Sequence, residues 1–267
     1  MTAAGYTPMH RGGEGSPLVL LHGFTDTWRS WEIVLPALEA EHDVLAPTLA
    51  GHTGGAEIGA DEDPEEAILV GVERAMDEVG FKTANLAGNS LGGWVALKLA
   101  ARGRATTVTA LAPAGGWPVG DPAFPATIQY FRDTQALLEQ ALPHADAIVA
   151  SPEGRATATQ MFASTAEHMS ADLILHQMRG AADCPAVMRL IEHAEANGWN
   201  LEAEKIGCPV RLVWGTSDQI LVPPGAAARF RDEWIPQAEW IELDGAGHCP
   251  QLDHPLETAQ LVLDFAR

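Results

Sequence analysis

The sequence feature that most constrains this chain is a serine between two glycines, Gly88-Asn89-Ser90-Leu91-Gly92, directly after the apolar run at residues 84–87. Residues 91–101 follow without a proline and are rich in leucine and alanine. This order predicts a strand, a tight turn and a helix, which is the local context of a G-x-S-x-G nucleophile elbow. A serine on so sharp a turn takes strained backbone angles and projects its hydroxyl above the sheet, so Ser90 is the candidate nucleophile.

Two later segments place polar side chains just after predicted strands. The apolar residues 209–214 lead into Gly215-Thr216-Ser217-Asp218, and residues 238–243 lead into Gly245-Ala246-Gly247-His248. A serine hydroxyl needs a base whose pKa lies near neutral pH, and histidine is the side chain that meets this condition. The imidazole in turn needs a carboxylate to fix its tautomer and balance its charge. The pattern therefore predicts His248 as the base and Asp218 as the orienting acid.

Two other carboxylates compete with Asp218 for that role. Asp244 and Asp253 both lie near His248 in sequence, but neither sits at the end of the preceding strand, residues 209–214, as Asp218 does. Asp218 is therefore the favoured partner. Activity should fall as the pH drops far enough to protonate His248, because a protonated imidazole cannot accept the serine proton.

The chain order Ser90, Asp218, His248, with each residue in a loop after a strand, resembles the α/β-hydrolase superfamily and its serine carboxylesterases. The strand at residues 18–21 and the following His22-Gly23-Phe24 are similar to the HG-x turn of that family. The resemblance implies that the backbone N–H groups of Phe24 and Leu91 form an oxyanion hole. It also implies an α/β fold, with a mainly parallel twisted sheet, helices on both faces and an inserted helical cap.

The hydrophobic pattern agrees with that architecture. Apolar runs that alternate with helical segments predict a mainly parallel sheet with strands near residues 17–21, 43–46, 84–88, 106–112, 209–214 and 238–242. No strand is predicted between residues 117 and 204, where helical patterns occur at residues 125–142, 152–164, 171–178 and 185–197. We therefore expect residues 1–116 and 205–267 to form the α/β-hydrolase core and residues 117–204 to form the cap.

The chain departs from the family pattern in two places. About fifteen residues precede Leu18, which leaves room for one strand and a turn, so a shortened sheet edge is expected. The loop at residues 46–55 contains Gly51-His52 but lacks the D-x-P-G-H-G form that is common in the family. We expect His22 and His52 to hydrogen-bond loop backbone near the site rather than to move protons.

Composition excludes several classes of function. Acidic residues outnumber basic ones by 36 to 16, and a formal charge of −20 argues against nucleic acid as a partner. No apolar stretch approaches the roughly 18 residues that a membrane span needs, and no basic-then-apolar leader is present, so a cytoplasmic protein without a membrane span is expected. The three cysteines lack C-x-x-C spacing and are expected to be free thiols.

Neither a metal site nor a cofactor is predicted. The acidic run at residues 61–66 surrounds Pro64 and precedes an apolar helical pattern, so it is expected to begin a helix rather than to bind a cation. The ten histidines form no H-E-x-x-H motif. Cys249 beside His248 could suggest redox or nucleophilic chemistry, but Ser90 already fills the nucleophile's role.

The predicted function is hydrolysis of a small-molecule carboxylic ester with an apolar portion, through an acyl-enzyme on Ser90 and without a cofactor. Apolar cap residues, which include four methionines and several aromatic side chains, are expected to supply part of a substrate pocket. Dehalogenases and epoxide hydrolases of the superfamily carry an aspartate at the position of Ser90, which argues against both activities. The natural substrate, its chain length and stereochemistry, the pocket-lining cap residues and the oligomeric state are not defined by the sequence.

Two alternatives remain open. The segments Gly88-Asn89-Ser90 and Ala112-Pro113-Ala114-Gly115-Gly116 look similar to those of meta-cleavage-product hydrolases, which break a carbon–carbon bond next to a ketone. Those relatives usually carry a tryptophan where this chain has Cys249. The second alternative is a small-molecule receptor that retains the triad on the same fold.

Overall fold

A computed structural model describes residues 5–266, and its centre is a seven-stranded sheet. The strands follow the spatial order β1-β3-β2-β4-β5-β6-β7. All neighbouring pairs are parallel except β1 and β3, which are antiparallel. The strands are β1 (Met9–Gly12), β2 (Ser16–Leu21), β3 (His42–Pro47), β4 (Ala84–Asn89), β5 (Ala105–Leu111), β6 (Val210–Gly215) and β7 (Glu239–Leu243).

This sheet confirms the predicted fold class. All six predicted strands are present, and each predicted end lies within one residue of the observed end. The antiparallel strand β1 forms the sheet edge in the described part of the chain, where the sequence left room for a single strand. The central strands β4 and β6 are buried along their whole length, which fits a mostly apolar composition without strict alternation of apolar and polar residues.

Ten α-helices connect or flank these strands in residues 5–266. They are α1 (Leu35–Leu38), α2 (Pro64–Glu78), α3 (Leu91–Ala101), α4 (Ala123–Ala141), α5 (Ala145–Ala150), α6 (Pro152–Thr159), α7 (Ala171–Ala182), α8 (Val187–Asn197), α9 (Pro250–Asp253) and α10 (Pro255–Leu263). Short 3-10 turns lie at Trp28–Trp31, Leu142–His144, Ala203–Lys205 and Gly225–Ala227, and a π-helical turn lies at Phe230–Trp234.

Helix α2 shows why the acidic run takes its form. The Asp63 side chain accepts a hydrogen bond from the backbone N–H of Glu66 at 2.9 Å, and Pro64 occupies the first helical turn. Proline is favoured there because its missing N–H would have no helical partner, and acids there complement the helix dipole. The prediction of a helix N-terminus at this position is therefore confirmed.

Apolar side chains pack on both faces of the sheet. One face carries a large cluster with Trp94, Trp214 and Phe230 among its fully buried members. The opposite face carries a second cluster around Trp31 and Leu38. Because both faces are covered, the sheet is held rigid, and the loops at the carboxyl ends of its strands have a fixed base.

Residues 117–204, which we call the helical insertion, lie between β5 and β6 and contain α4 to α8. No strand occurs in this segment, as the sequence predicts. The predicted helix at residues 152–164 is too long, because α6 ends at Thr159. The carbonyl of Phe162 instead accepts from the N–H of Cys249, and the N–H of Ser164 donates to Asp253 in α9, so residues 160–164 form a turn rather than helix. Helix α5 falls between two predicted helices, and the sequence pattern did not predict it.

Candidate active site

Ser90 lies in the sharp turn between β4 and α3, with φ of 54° and ψ of −117°. This positive φ is unfavourable for a residue with a side chain, so the surrounding structure must hold it. A Cβ atom at Gly88 would lie 2.2 Å from the carbonyl oxygen of Gly92, and one at Gly92 would lie 2.1 Å from that of Leu21. The two glycines therefore allow the close approach that the elbow needs.

His248 and Asp218 are in direct contact. Nδ1 of His248 lies 2.8 Å from Oδ2 of Asp218, and both residues are buried. The second carboxylate oxygen, Oδ1, accepts hydrogen bonds from the backbone N–H groups of Ile220 and Leu221 at 2.8 and 2.9 Å. With the carboxylate fixed, Nδ1 of the neutral imidazole carries the proton, and Nε2 is left with a free lone pair. A histidine in this state is suited to act as a general base.

The competing carboxylates have other partners. Asp253 accepts hydrogen bonds at one oxygen from Gly247 N–H at 2.8 Å and from Ser164 N–H at 2.7 Å. Asp244 is exposed and lies 3.3 Å from the hydroxyl of Thr216. Asp218 is thus the carboxylate that the fold brings to His248, whereas Asp253 holds the backbone just before it.

Ser90 and the histidine loop meet through Asn89. Nδ2 of Asn89 donates a hydrogen bond to the backbone carbonyl of His248 at 2.9 Å. Ser90 N–H donates to the carbonyl of Leu111 on the neighbouring strand at 2.9 Å. Asn89, the residue before Ser90, and His248 are therefore joined at the carboxyl edge of the sheet.

The turn after β2 packs against the elbow and is held by His22. Leu49 N–H donates to Nε2 of His22 at 2.9 Å, so Nδ1 carries the proton and donates to the carbonyl of Gly23 at 2.8 Å. Burial holds the pKa of His22 well below its usual range, with the nearby His52 adding to this effect. A Cβ at Gly23 would lie 3.4 Å from Cβ of Ser90. This turn therefore abuts the candidate nucleophile.

His52 also bonds to loop backbone, as its Nδ1 lies 3.2 Å from the carbonyl of Ala50. Burial lowers the pKa of His52 to about 4, so this imidazole is neutral at physiological pH. Phe24 and Leu91, whose N–H groups are the predicted oxyanion donors, both line the cavity that contains Ser90. The turn and the elbow thus border the same cavity.

That cavity lies between the core and the helical insertion and contains about 800 Å³ of empty space including its open mouth. Glu65 and His193 are its ionisable lining residues, and the described lining contains no lysine or arginine. The four methionines of the insertion are absent from this lining, and two of them, Met169 and Met178, pack in a separate apolar cluster. Most of the lining is apolar or aromatic, including Phe24, Trp117, Phe124, Ile128, Phe131 and Trp199.

The cysteines are unpaired. Burial raises the pKa of the Cys249 thiol well above its usual range, and nearby Asp26, Asp253 and Asp218 add to this effect. The neutral thiol donates a hydrogen bond to Oδ1 of Asn89 at 3.2 Å. Because the thiolate is the reactive form of cysteine, Cys249 is not a nucleophile despite its position next to His248.

Sequence reasoning missed the residues that support the site. Asn89 and Asp253 each bond to the loop that carries His248, and Gln251 bonds to Asn89. A polar residue inside the apolar end of β4 was the one sequence signal for Asn89. Within residues 5–266, no group of three or more histidine, cysteine, aspartate or glutamate side chains could hold a metal ion. None of the helices in this described range is both long and apolar enough to span a bilayer.

Curated relatives of this chain include several hydrolases. A curated Mycobacterium tuberculosis protein named epoxide hydrolase EphH is 34% identical over 195 residues, which cover 73% of this chain and 91% of the relative. A Pseudomonas 2-hydroxymuconate semialdehyde hydrolase is 27% identical, with 97% of this chain and 89% of the relative covered. An Aromatoleum aromaticum pimeloyl-[acyl-carrier protein] methyl ester esterase is 29% identical, with 94% and 98% covered.

The family model described as the alpha/beta hydrolase family matches residues 18–261, which include the elbow, the turn after β2 and the loops of Asp218 and His248. The match extends across the helical insertion as well as the sheet. This chain therefore belongs to the alpha/beta hydrolase family and is a hydrolase.

Proposed function

We propose that this hydrolase cleaves uncharged carboxylic esters with an apolar acyl group, using Ser90 as nucleophile, His248 as base and Asp218 as orienting acid. One observation carries the proposal: a serine at a strained elbow opens into an apolar cavity, and a buried histidine–aspartate pair lies at the same edge of the sheet. Serine hydrolysis needs these parts together, because the hydroxyl alone is a weak nucleophile.

The reaction has two stages. Ser90 attacks the ester carbonyl while Nε2 of His248 takes the hydroxyl proton, and the same imidazole then protonates the departing alcohol. The N–H groups of Phe24 and Leu91 stabilise the negative oxygen of the tetrahedral intermediate. In the second stage, His248 removes a proton from water, which attacks the acyl-enzyme, releases the acid and regenerates Ser90.

The helical insertion is proposed to act as the cap of this site. Phe124, Ile128 and Phe131 on α4, together with Ile191 on α8, line the same cavity as Ser90. An apolar enclosure favours an uncharged acyl group, since burying an unpaired charge there would be costly.

Carbon–carbon bond hydrolysis is the main alternative, and the 2-hydroxymuconate semialdehyde hydrolase relative favours it. A dienoate substrate carries a carboxylate, which needs a cationic partner when it is buried. The described lining provides no lysine or arginine, and position 249 is a cysteine rather than a tryptophan. These two features favour an ester over a dienoate.

The relative named epoxide hydrolase raises a third possibility. An aspartate nucleophile opens an epoxide to an ester, which an activated water then cleaves. A serine nucleophile would instead form an ether, which this machinery could not hydrolyse. Ser90 therefore supports ester hydrolysis rather than epoxide opening.

A substrate panel tests these possibilities. The wild-type protein and Ser90→Ala are assayed with p-nitrophenyl esters of increasing acyl length, a 2-hydroxy-6-oxo-dienoate and styrene oxide, and Ser90 is labelled with a fluorophosphonate. We expect ester turnover that Ser90→Ala abolishes, and one label per chain. Faster conversion of the dienoate or the epoxide, or Ser90→Ala with wild-type ester turnover, would overturn the proposal. Tight ligand binding with one turnover or less would indicate a receptor.

A further inference from the structure

The side chain of Asn89 lies between the elbow and the loop that carries His248, and it is 1% exposed. Its Nδ2 donates hydrogen bonds to the carbonyl of His248 at 2.9 Å and to that of Leu111 at 3.2 Å. Its Oδ1 accepts from Nε2 of Gln251 and from the thiol of Cys249, both at 3.2 Å. Two N–H groups and both lone pairs of one buried amide are therefore in use.

The partners fix which way this amide points. Backbone carbonyls such as those of His248 and Leu111 can only accept, so the nitrogen of Asn89 must face them. The Gln251 amide and the Cys249 thiol then donate to the oxygen on the other side. An aspartate would place acceptors against carbonyl oxygens, and an alanine would leave those carbonyls without a donor, so asparagine is the residue that satisfies all four partners.

Three parts of the proposed site meet at Asn89. The carbonyl of Leu111 accepts from Asn89 Nδ2 and also from the backbone N–H of Ser90 at 2.9 Å. A Cβ at Gly23, in the turn after β2, would lie 3.4 Å from Oδ1 of Asn89. The elbow, the histidine loop and the turn that precedes Phe24 are thus in contact with a single buried side chain.

The histidine loop needs such a restraint. It begins with Gly245-Ala246-Gly247, and Gly245 has φ of 74°, a conformation that glycine adopts easily. Asp253 holds the N–H of Gly247 on one side of His248, while Asn89 holds the carbonyl of His248 itself. The second contact connects the base to the strand that ends at the nucleophile.

We propose that Asn89 is a positioning residue, which sets the distance between the His248 imidazole and Ser90 by anchoring the His248 carbonyl and the Cys249–Gln251 segment to the end of β4. The inference rests on the proposed function, since it concerns proton transfer between those two residues. Asn89 acts through His248, so its loss should slow the chemical steps and leave the apolar cavity unchanged.

The test compares Asn89→Asp and Asn89→Ala with a control on the same strand, Asn85→Asp. Asn85 is also buried, and it bonds to Pro17, Thr106 and Thr107, about 13 Å along the strand from the site. The measurements are kcat and KM for a p-nitrophenyl ester, the rate of Ser90 labelling by a fluorophosphonate, and the midpoint of thermal unfolding. Labelling reports on the Ser90–His248 pair without requiring knowledge of the natural substrate.

We expect both Asn89 variants to lose about 100-fold in kcat and in labelling rate, because a shift of about 1 Å in a catalytic group has effects of this size. KM should change by less than about threefold, since ground-state binding does not depend on the loop. Asn85→Asp should lower the unfolding midpoint at least as much as Asn89→Ala does, yet keep nearly wild-type kcat and labelling in its folded fraction.

Other outcomes separate this inference from the proposed function. If His248→Ala abolishes labelling but both Asn89 variants label at the wild-type rate, the positioning role is wrong and the serine–histidine mechanism stands. The positioning role would also be wrong if the Asn89 and Asn85 variants lost kcat and labelling rate equally, in proportion to their loss of folded protein. If the folded wild-type protein is not labelled at all, both the proposed function and this inference fall.

Discussion

One oxygen of the Asp253 carboxylate accepts a hydrogen bond from the backbone N–H of Gly247 at 2.8 Å. The same oxygen accepts from the N–H and the hydroxyl of Ser164 at 2.7 and 2.9 Å. Nearby, Cys249 N–H donates to the carbonyl of Phe162 at 2.8 Å. The loop of the proposed base is therefore bonded to the helical insertion directly at Cys249 and through Asp253 at Gly247, and to the sheet through Asn89.

Asp253→Asn should reduce both stability and turnover. The amide oxygen of the variant can still accept all three hydrogen bonds, because the second carboxylate oxygen has no partner in the described structure. Removing the charge weakens these three converging bonds, so we expect a loss of about 1–3 kcal/mol in unfolding free energy. kcat should fall as the His248 loop loosens. Denaturant unfolding and ester kinetics measure these effects, with the exposed Asp244→Asn as the matched control. Equal unfolding free energies for the two variants would contradict the role of Asp253.

Asp218→Asn should have a different signature. The variant retains the shape of the side chain but removes the negative charge beside Nδ1 of His248 and favours the wrong tautomer, so kcat should fall by about 10⁴-fold with little change in KM. Steady-state kinetics of Asp218→Asn and Asp253→Asn at one pH measure the difference in kcat. A larger kcat loss in Asp253→Asn than in Asp218→Asn would show that the acid was chosen wrongly.

The contrast between these aspartates shows what sequence could predict. Strand ends and chain order led to the prediction of Ser90, Asp218 and His248 as site residues, because a loop at the end of a parallel strand can be recognised from the local sequence. The structure confirms the predicted fold class and the contact between Asp218 and His248. The four-way bonding of Asn89 joins segments up to 162 positions apart, and no local pattern records it.

The helical insertion was harder to predict for a similar reason. Its helices were recognisable from their periodicity, but their ends depend on contacts with the core. Residues 160–164 do not continue α6, because their backbone groups bond to Cys249 and Asp253 instead. The methionines were equally good candidates for the pocket by composition, and it is the docking of the insertion that places aromatic residues there instead.

The preference of the enzyme for acyl chain length should depend on a single residue of the cavity. Ile128 is a buried residue of α4 that lines the cavity, so Ile128→Trp should fill part of the acyl space. We expect kcat/KM for a long acyl ester to fall by about 10-fold or more while an acetate ester is little affected, since a few buried methylenes are worth a few kcal/mol. Leu137→Trp, exposed on the same helix, is the control. A uniform loss across all chain lengths would place the acyl group elsewhere.

Asp26 gives a prediction for stability against pH. Burial raises the pKa of Asp26 to about 6, although hydrogen bonds from Thr27 N–H and Gln177 Nε2 act in the opposite direction. The pKa in the unfolded chain is near 3.8, so the folded state binds this proton more tightly. Stability from this group is therefore present below pH 4 and is lost as the pH rises through about 6.

Asp26→Asn should remove the loss of folding stability that ionisation of Asp26 causes above about pH 6. The oxygen of the new amide can still accept from the N–H of Thr27. Oε1 of Gln177 is buried and has no partner in the described structure. If the Gln177 amide rotates by 180°, this oxygen can accept from the nitrogen of the new amide group in the variant. The variant should be more stable than the wild type by about 3 kcal/mol at pH 8 and nearly equal to it near pH 4, since one pKa unit corresponds to about 1.4 kcal/mol. Denaturant unfolding at both pH values measures this difference.

Asp133→Asn, an exposed change of the same charge, should show little pH-dependent gain in stability. A variant that is destabilised at pH 8 would mean that the ionised carboxylate is needed to hold α7 against the turn after β2, and that its hydrogen bonds outweigh the cost of burying it.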